Sequence, residues 1–199
     1  MSKTFLEAVE ARRSIYAISK ESPVSDAQIK DIVEAAVLHS PTSFNSQSSR
    51  AVVLLGEQHD KLWDITAETL RKIVPTEQFE GTAQKLSSFK AGYGSVLFFE
   101  DQTVVKSLQE NFALYADNFP IWSNQSSGIL QFVVWTAFAE AGLGASLQHY
   151  NPLIDDEVKA TFGIPAEWKL IAQMPFGKTV TPPGEKEFQP IEERVKVFK

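Results

Sequence analysis

The chain has 199 residues, 43% of them apolar and 22% charged, with 10 Gly and 10 Pro, which is the size and composition of one globular domain with a real core and excludes disordered, collagenous and low-complexity classes. Nineteen basic against 25 acidic side chains leave a formal charge of −6, which argues against nucleic acid or an anionic membrane as the main partner. The absence of cysteine removes disulfides, thiolate metal sites and cysteine nucleophiles together.

The opening stretch MSKTFLEAVEARRS carries no apolar signal segment, and no run approaches the ~20 apolar residues of a membrane span, so a cytoplasmic protein without a membrane partner is expected. Thr4 and Glu7 have capping-box spacing, and apolar residues from Phe5 onward recur at near-helical intervals, which predicts a helix from Thr4 to Ser14 with Arg12 and Arg13 in its last turn. Ser25 and Asp26 open a second helix whose residues Ile29, Ile32, Val33, Ala36 and Val37 form one apolar face; Pro41 ends it. The polar stretch His39 to Arg50 is long for a connection and leads to a buried strand at Ala51–Leu55.

A further amphipathic stretch at Leu62–Ile73 stops at Pro75, and a polar segment then passes through Gly92 and Gly94 to a strand at Ser95–Glu100. Val104–Phe112 predicts another helix. Ser126–Ala141 is apolar nearly all round, the pattern of a helix buried in a core or against a second subunit. Short strands are expected at Ala145–His149 and Trp168–Met174, with a small helix near Asp155–Thr161 between them. Pro182, Pro183 and Gly184 break the charged tail, in which Glu192, Glu193, Arg194 and Lys196 read as a solvated helix or an arm over a partner subunit. With no internal repeat and no linker, residues 1–199 read as a single α+β domain with four or five strands.

Self-contained catalytic machinery is missing. His39, His59 and His149 form no spaced pair that would bind a metal, so no metal site is expected. Neither Ser95 nor Ser127 has the glycines of a nucleophile elbow. The pairs Gly92/Gly94 and Gly142/Gly144 precede strands and lack the third glycine of a dinucleotide fingerprint, and no phosphate-binding P-loop occurs. Such a chain is either a binding protein or an enzyme whose reactivity resides in an organic cofactor.

Two segments suit a ligand. Arg12-Arg13-Ser14 supplies two guanidiniums and a hydroxyl, the donors a phosphate monoester takes, although the same cations could simply offset a helix dipole. Pro41 to Arg50, PTSFNSQSSR, concentrates hydroxyls and amides that both donate and accept, as a heterocycle requires; a solvated serine-rich loop is the plainer alternative. Phe119, Trp122 and Phe132 could stack on a planar substrate or fill a core or interface. The Asp155-Asp156-Glu157 run reads as charge at a helix N-terminus.

ARRSIYAI, PTSFNSQSSR and GLGASLQHYNP, in this order and spacing, resemble the three landmarks of the FMN-dependent nitroreductases, over nearly the whole chain and in the form found in a fungal and bacterial branch. The resemblance implies a nitroreductase-like α+β fold: a central, mostly antiparallel sheet of four or five strands flanked by helices, with an extended C-terminal arm. It also implies a homodimer with tightly bound FMN at the subunit interface, reduced by NADH or NADPH and reoxidised by nitroaromatics, quinones or similar small molecules in a ping-pong cycle. Chemistry would lie on the flavin, with no catalytic side chain.

Carried onto this chain, Arg12, Arg13 and Ser14 would hold the phosphate and ribityl side. Thr42, Ser43, Asn45 and Gln47 would approach the flavin of the partner subunit. Leu147, Gln148 and His149 would pass its reactive N5 edge, with His149 binding rather than catalytic. Lys186 fits a late phosphate contact, with Lys178 as the competing choice, and Lys90 is a candidate for the polar edge of the ring system. Two positions depart from the common pattern: Tyr16 replaces a basic residue, and Ser48-Ser49 replaces Pro-Trp after Gln47. These departures leave open a flavin- or ligand-binding regulator on the same scaffold, without significant turnover.

Overall fold

A computed structural model describes residues 4–199. Seven helices and five strands occur among the described residues: α1 (Phe5–Ala11), β1 (Ile18–Ser19), α2 (Asp26–His39), β2 (Ser49–Leu55), α3 (Glu57–Arg71), α4 (Phe79–Lys90), β3 (Gly94–Asp101), α5 (Gln102–Asn111), α6 (Phe119–Glu140), β4 (Leu143–Ala145), α7 (Asp155–Phe162) and β5 (Trp168–Thr179). The five strands form one sheet in which every ladder is antiparallel. This is the α+β architecture expected from the sequence, a five-stranded antiparallel sheet flanked by helices.

The middle of the sheet is β3, paired to β2 and β5. Its residues alternate between two cores: Val96 and Phe98 join Ile29 and Val33 of α2 and Leu130, Val134 and Phe138 of α6. Leu97 and Phe99 join Leu62 and Trp63 of α3, Phe89 of α4 and Val158 of α7. All four β3 side chains are fully buried, so the sheet is covered by helices on both faces, and burying each such side chain contributes ~1.5–3 kcal/mol. A bulge between Phe98 and Phe99 pairs them with Ala172 and Leu170; the extra β5 residue keeps each pair in its own core.

β5 organises the remaining strands. Phe176 pairs with both Gly94 of β3 and Ala145 of β4, and Lys178 pairs with both Leu143 of β4 and Ser19 of β1. A strand has only two edges, so β3 and β1 follow one another along one edge while β4 occupies the other. Gly177 sits at this crowded junction, where a Cβ would stand 2.3 Å from the Ser19 carbonyl oxygen and 3.0 Å from the Tyr93 nitrogen.

The capping box expected at Thr4 and Glu7 is present on α1, and Ser25, expected as the N-cap of α2, forms a second box with Gln28. Several boundaries differ from expectation. α1 stops at Ala11, and Arg12 is already extended, because Ser14 bridges Ala145 and Ile15 N–H donates to the Ala145 carbonyl at 2.9 Å. Tertiary pairing therefore overrides helical periodicity, and the two arginines lie beyond the helix. α6 begins at Phe119 rather than Ser126, with Pro120 in its first turn.

The strand expected at Ala145–His149 is β4 at Leu143–Ala145, followed by irregular backbone that rejoins β5 through a Gln148–Gln173 bridge. α4 was not anticipated: its buried residues Phe79, Leu86 and Phe89 are widely spaced in a polar segment. β5 extends to Thr179. The tail beyond it contains one short turn at Ile191–Glu193 and no α-helix. No helix of the described residues is long and apolar enough to cross a membrane.

His59 of α3 is 1% exposed. Its Nε2 faces the Lys90 carbonyl at 3.3 Å, and its Nδ1 faces Ser95 Oγ at 2.9 Å. A carbonyl can only accept, so Nε2 carries the proton; Ser95, already accepting from Trp63 Nε1 at 3.1 Å, donates to Nδ1. Burial lowers the His59 pKa to about 4, against smaller raising effects from the Lys90 carbonyl and Asp60.

The folded state therefore binds fewer protons at this site than the unfolded chain between about pH 4 and 6.5, so this contribution is full above that window and is lost as pH falls through it. Urea unfolding should show stability falling by about 2 kcal/mol between pH 7.5 and pH 5 from this group, and the difference should shrink in His59→Gln. Gly177→Ala should cost about 2–3 kcal/mol in the same assay, because backbone on both sides leaves a methyl no room.

Candidate functional site

The extended segment after α1 forms one wall of a cleft of about 560 Å³ lined by residues 12–17, by 181–184 and by Lys186. Its opposite wall starts where Val180 N–H donates to the Ala17 carbonyl at 2.8 Å. Pro182, Pro183 and Gly184 continue that wall, and Arg13 Nη2 donates to the Gly184 carbonyl at 2.9 Å. Arg12, Arg13, Ser14 and Lys186, separated by up to 174 positions, are thus brought together.

The residues lining this cleft include three cations and no acid, in a chain whose formal charge is −6. The Arg12 guanidinium lies 4.5 Å over the ring of Trp135 on α6, which fixes its orientation. Its Nε is buried and has no hydrogen-bond partner. Burial and then the neighbouring Arg13 charge lower the Arg12 pKa, so an anion in the cleft would relieve the repulsion between the two guanidiniums. Tyr16 lines the same cleft and is 54% exposed. Lys178 instead pairs with Glu21 at 2.6 Å and lines no part of this cleft.

The second polar segment lies in a different cleft. Thr42, Gln47, Ser49 and Arg50 line about 510 Å³ together with the α2 residues Val33 and Val37, Leu130 of α6 and Trp168 of β5. The two clefts share no lining residue. Between Thr42 and Ser48 the backbone makes a short 3₁₀ turn at Ser43–Asn45, with Phe44, Asn45 and Gln47 at positive φ of 57°, 50° and 51°. Residues with a Cβ adopt that region only under restraint. The restraints are visible: Gln47 N–H donates to Thr42 Oγ1 at 3.0 Å, and Arg50 Nη1 donates to the Gln47 carbonyl.

Phe44 at the tip packs against Phe112, Phe119 and Trp122 with centroids 5.0, 5.3 and 6.1 Å away. Phe119 is buried in this group, while Phe44, Phe112 and Tyr115 keep part of their rings exposed. Phe132, further along α6, is 36% exposed and takes no part in these ring contacts.

The remaining sequence candidates are more scattered. Leu147 packs on the core shared by α2 and α6. Gln148 is buried and donates to Ser146 Oγ at 3.0 Å, and His149 is exposed. Lys90, at the end of α4, pairs with Asp64 of α3 and lines neither cleft. No cluster of potential metal ligands occurs among the described residues.

Sequence reasoning missed Glu100, at the end of β3. It is 1% exposed and accepts from Ser48 Oγ at 2.6 Å, Ser49 Oγ at 2.5 Å and Ser123 Oγ at 2.6 Å. The signal that pointed toward it was the unusual Ser48-Ser49 pair.

A two-faced α+β fold with a cationic, acid-free cleft defines a protein suited to an anionic ligand. The chain belongs to the nitroreductase family: the family model matches residues 9–178. Nitroreductase CinD from Lactococcus lactis, solved in complex with nicotinic acid, is 49% identical with a TM-score of 0.92, covering 98% of this chain and 100% of its own. The same protein has been solved with chloramphenicol and with 4-nitrophenol. Nitroreductase FRM2 of Saccharomyces cerevisiae is 36% identical over 92% of both chains. A protein from Desulfovibrio desulfuricans in complex with FMN shares the fold at 19% identity and a TM-score of 0.72, covering 100% of both chains. Family and relatives make this chain a nitroreductase-type oxidoreductase.

Proposed function

We propose that the protein is an FMN-dependent NAD(P)H oxidoreductase that acts as a homodimer on nitroaromatics, quinones and similar electron-poor small molecules. The observation that carries this reading is the cationic cleft, whose lining joins Arg12, Arg13 and Lys186 with no acid. When bound, FMN would supply the redox chemistry, taking electrons from NADH or NADPH in one half-reaction and passing them to the acceptor in the other.

Arg12, Arg13 and Lys186 would hold the phosphate, with Arg12 preset by Trp135 and Arg13 by Gly184. Ser14 would donate on the ribityl side. Thr42, Ser43, Asn45 and Gln47 would approach from the partner subunit, which accords with Thr42 and Gln47 lining a cleft separate from the arginines. Leu147, Gln148 and His149 would pass the ring edge. Lys90, held by Asp64 outside both clefts, is left out of the proposed set.

The dimer is supported by apolar surface that this chain leaves uncovered. Phe188, Ile191, Val197 and Phe198 along the tail are 64–92% exposed, and Ile121 and Ile129 of α6 are 56% and 40% exposed. Planar aromatic acceptors are supported by the partly exposed rings around Phe44 and by the ring compounds bound to CinD.

Purified protein should show a flavin absorption spectrum that bleaches on anaerobic addition of NADH or NADPH; a colourless protein that takes up no FMN refutes the reading. Arg12→Ala and Arg13→Ala should each raise the FMN dissociation constant by about 10–100-fold, the worth of a charge-assisted hydrogen bond. Lys186→Ala should raise it by about tenfold, whereas Lys178→Ala should leave it unchanged.

A further inference from the structure

Glu100 has an unusual environment for a buried acid. No cation pairs with it among the described residues; its neighbours are three serine hydroxyls, two from the entry of β2 and one from α6. A carboxyl group kept from water is unfavourable unless its oxygens are satisfied. Here Oε1 accepts from Ser49 and Oε2 from both Ser48 and Ser123. The next residue continues the pattern, since Arg50 Nη2 pairs with Asp101 Oδ2 at 3.0 Å. The end of β3 therefore grips three consecutive residues, Ser48, Ser49 and Arg50, immediately after the loop whose Phe44, Asn45 and Gln47 sit at positive φ.

Ser123 makes the arrangement more than strand pairing. It stands on α6 beside Trp122, on which Phe44 stacks at an interplanar angle of 19°. The loop is thus fastened to α6 at two places: through rings at its tip and through Glu100 at its exit. Ser48 and Ser49 each donate a hydroxyl hydrogen to this acid, so the exit of the loop and the buried carboxyl group are two parts of one device.

We propose that Glu100 is a positioning residue: its carboxyl group clamps the 42–49 loop onto α6 and so presents Thr42, Ser43 and Asn45 in the restrained conformation that meets the flavin. The cofactor half of this inference rests on the function proposed above; the clamp itself does not. Glu100 touches no cofactor and acts only through the loop. Glutamine keeps the shape and can accept through its oxygen while donating through its nitrogen to a serine oxygen, so it should substitute; alanine leaves three hydroxyls without their acceptor.

The test combines hydrogen–deuterium exchange of the FMN-free protein with FMN affinity read by flavin fluorescence. In Glu100→Ala, and in the double variant Ser48→Ala/Ser49→Ala, amides of residues 43–50 should exchange at least about tenfold faster while those of Val96–Phe98 and Ala172–Met174 stay protected. FMN affinity should fall by about tenfold in both, through lost preorganisation. Glu100→Gln should keep exchange and affinity within about threefold of wild type. Ser123→Ala cuts only the tie to α6 and should loosen the same amides, which keeps the test decisive where Glu100→Ala fails to fold. Exchange that rises evenly across the sheet overturns the clamp, as does a loop that stays protected in all variants. A loosened loop with unchanged FMN affinity overturns the positioning role. A wild-type protein that takes up no FMN overturns the proposed function and the cofactor half of this inference, while the exchange pattern alone still decides the clamp.

Discussion

The pairing of β3 with β5 is the interaction on which the rest of the molecule depends. Each strand contributes to both cores, and β2, paired to β3, adds Val53 to one and Leu54 to the other, so the two helical layers are joined through the sheet that this ladder centres. The edges of β5 then recruit β1 and β4, and these two strands fix the path of residues 12–17 on one side and of the tail from Val180 on the other. The cationic cleft is the gap between those two paths. Its geometry follows from strand pairing at the end of β5, with the irregular tail 181–186 as one wall and Trp135 of α6 orienting Arg12.

The opposite end of β3 has a corresponding role. There the strand terminates in Glu100 and Asp101, which bind the residues leaving the left-handed loop. One strand thus anchors the second polar segment directly, and its partner β5 frames the first. The charge arrangement follows the same division. Acids outnumber bases over the whole chain, and three of them pair with cations outside the cleft lining: Asp101 with Arg50, Asp64 with Lys90 and Glu21 with Lys178. The cleft that holds Arg12, Arg13 and Lys186 has no acid among its lining residues, although Glu185 and Glu187 flank Lys186 in the chain, so its cations are left to a ligand at short range.

Much of this was legible in the chain because local rules and tertiary structure agree. Capping boxes, the apolar face of α2 and the β-branched and aromatic runs of β2 and β3 each have one physical reading, and the structure adopts it. Disagreement occurred where a long-range partner decided the outcome. Arg12–Ser14 continue a helical pattern but are taken into the sheet by Ala145; α4 spreads its three anchors through polar sequence because only a narrow face of it meets the core. In the site, the two polar segments could be recognised by donor chemistry alone. That they line separate clefts, and that Lys178 and Lys90 are held by acids elsewhere, depends on contacts between distant positions, which composition and spacing do not encode.

Glu100 shows most clearly why such contacts escape a reading of sequence. A glutamate at the end of an apolar strand reads as the point where the chain returns to water, and serines after a polar loop read as solvated. Each reading is reasonable by itself, but both fail together: the acid is buried because the serines are there, and the serines are ordered because the acid is there. The strained backbone between Thr42 and Ser48 adds the third member, since left-handed residues with side chains persist only when their surroundings over-determine them. Aromatic packing at Phe44, the Thr42 hydroxyl, the Arg50 guanidinium and the Glu100 carboxyl supply that over-determination from four directions. Removing the acid would leave the tip packed and the exit still held by Arg50 on the Gln47 carbonyl and by Asp101 N–H on the Ser48 carbonyl, but it would untie Ser48 and Ser49 from Ser123 of α6, the hydrogen-bonded link that joins the loop's exit to the helix its tip packs on.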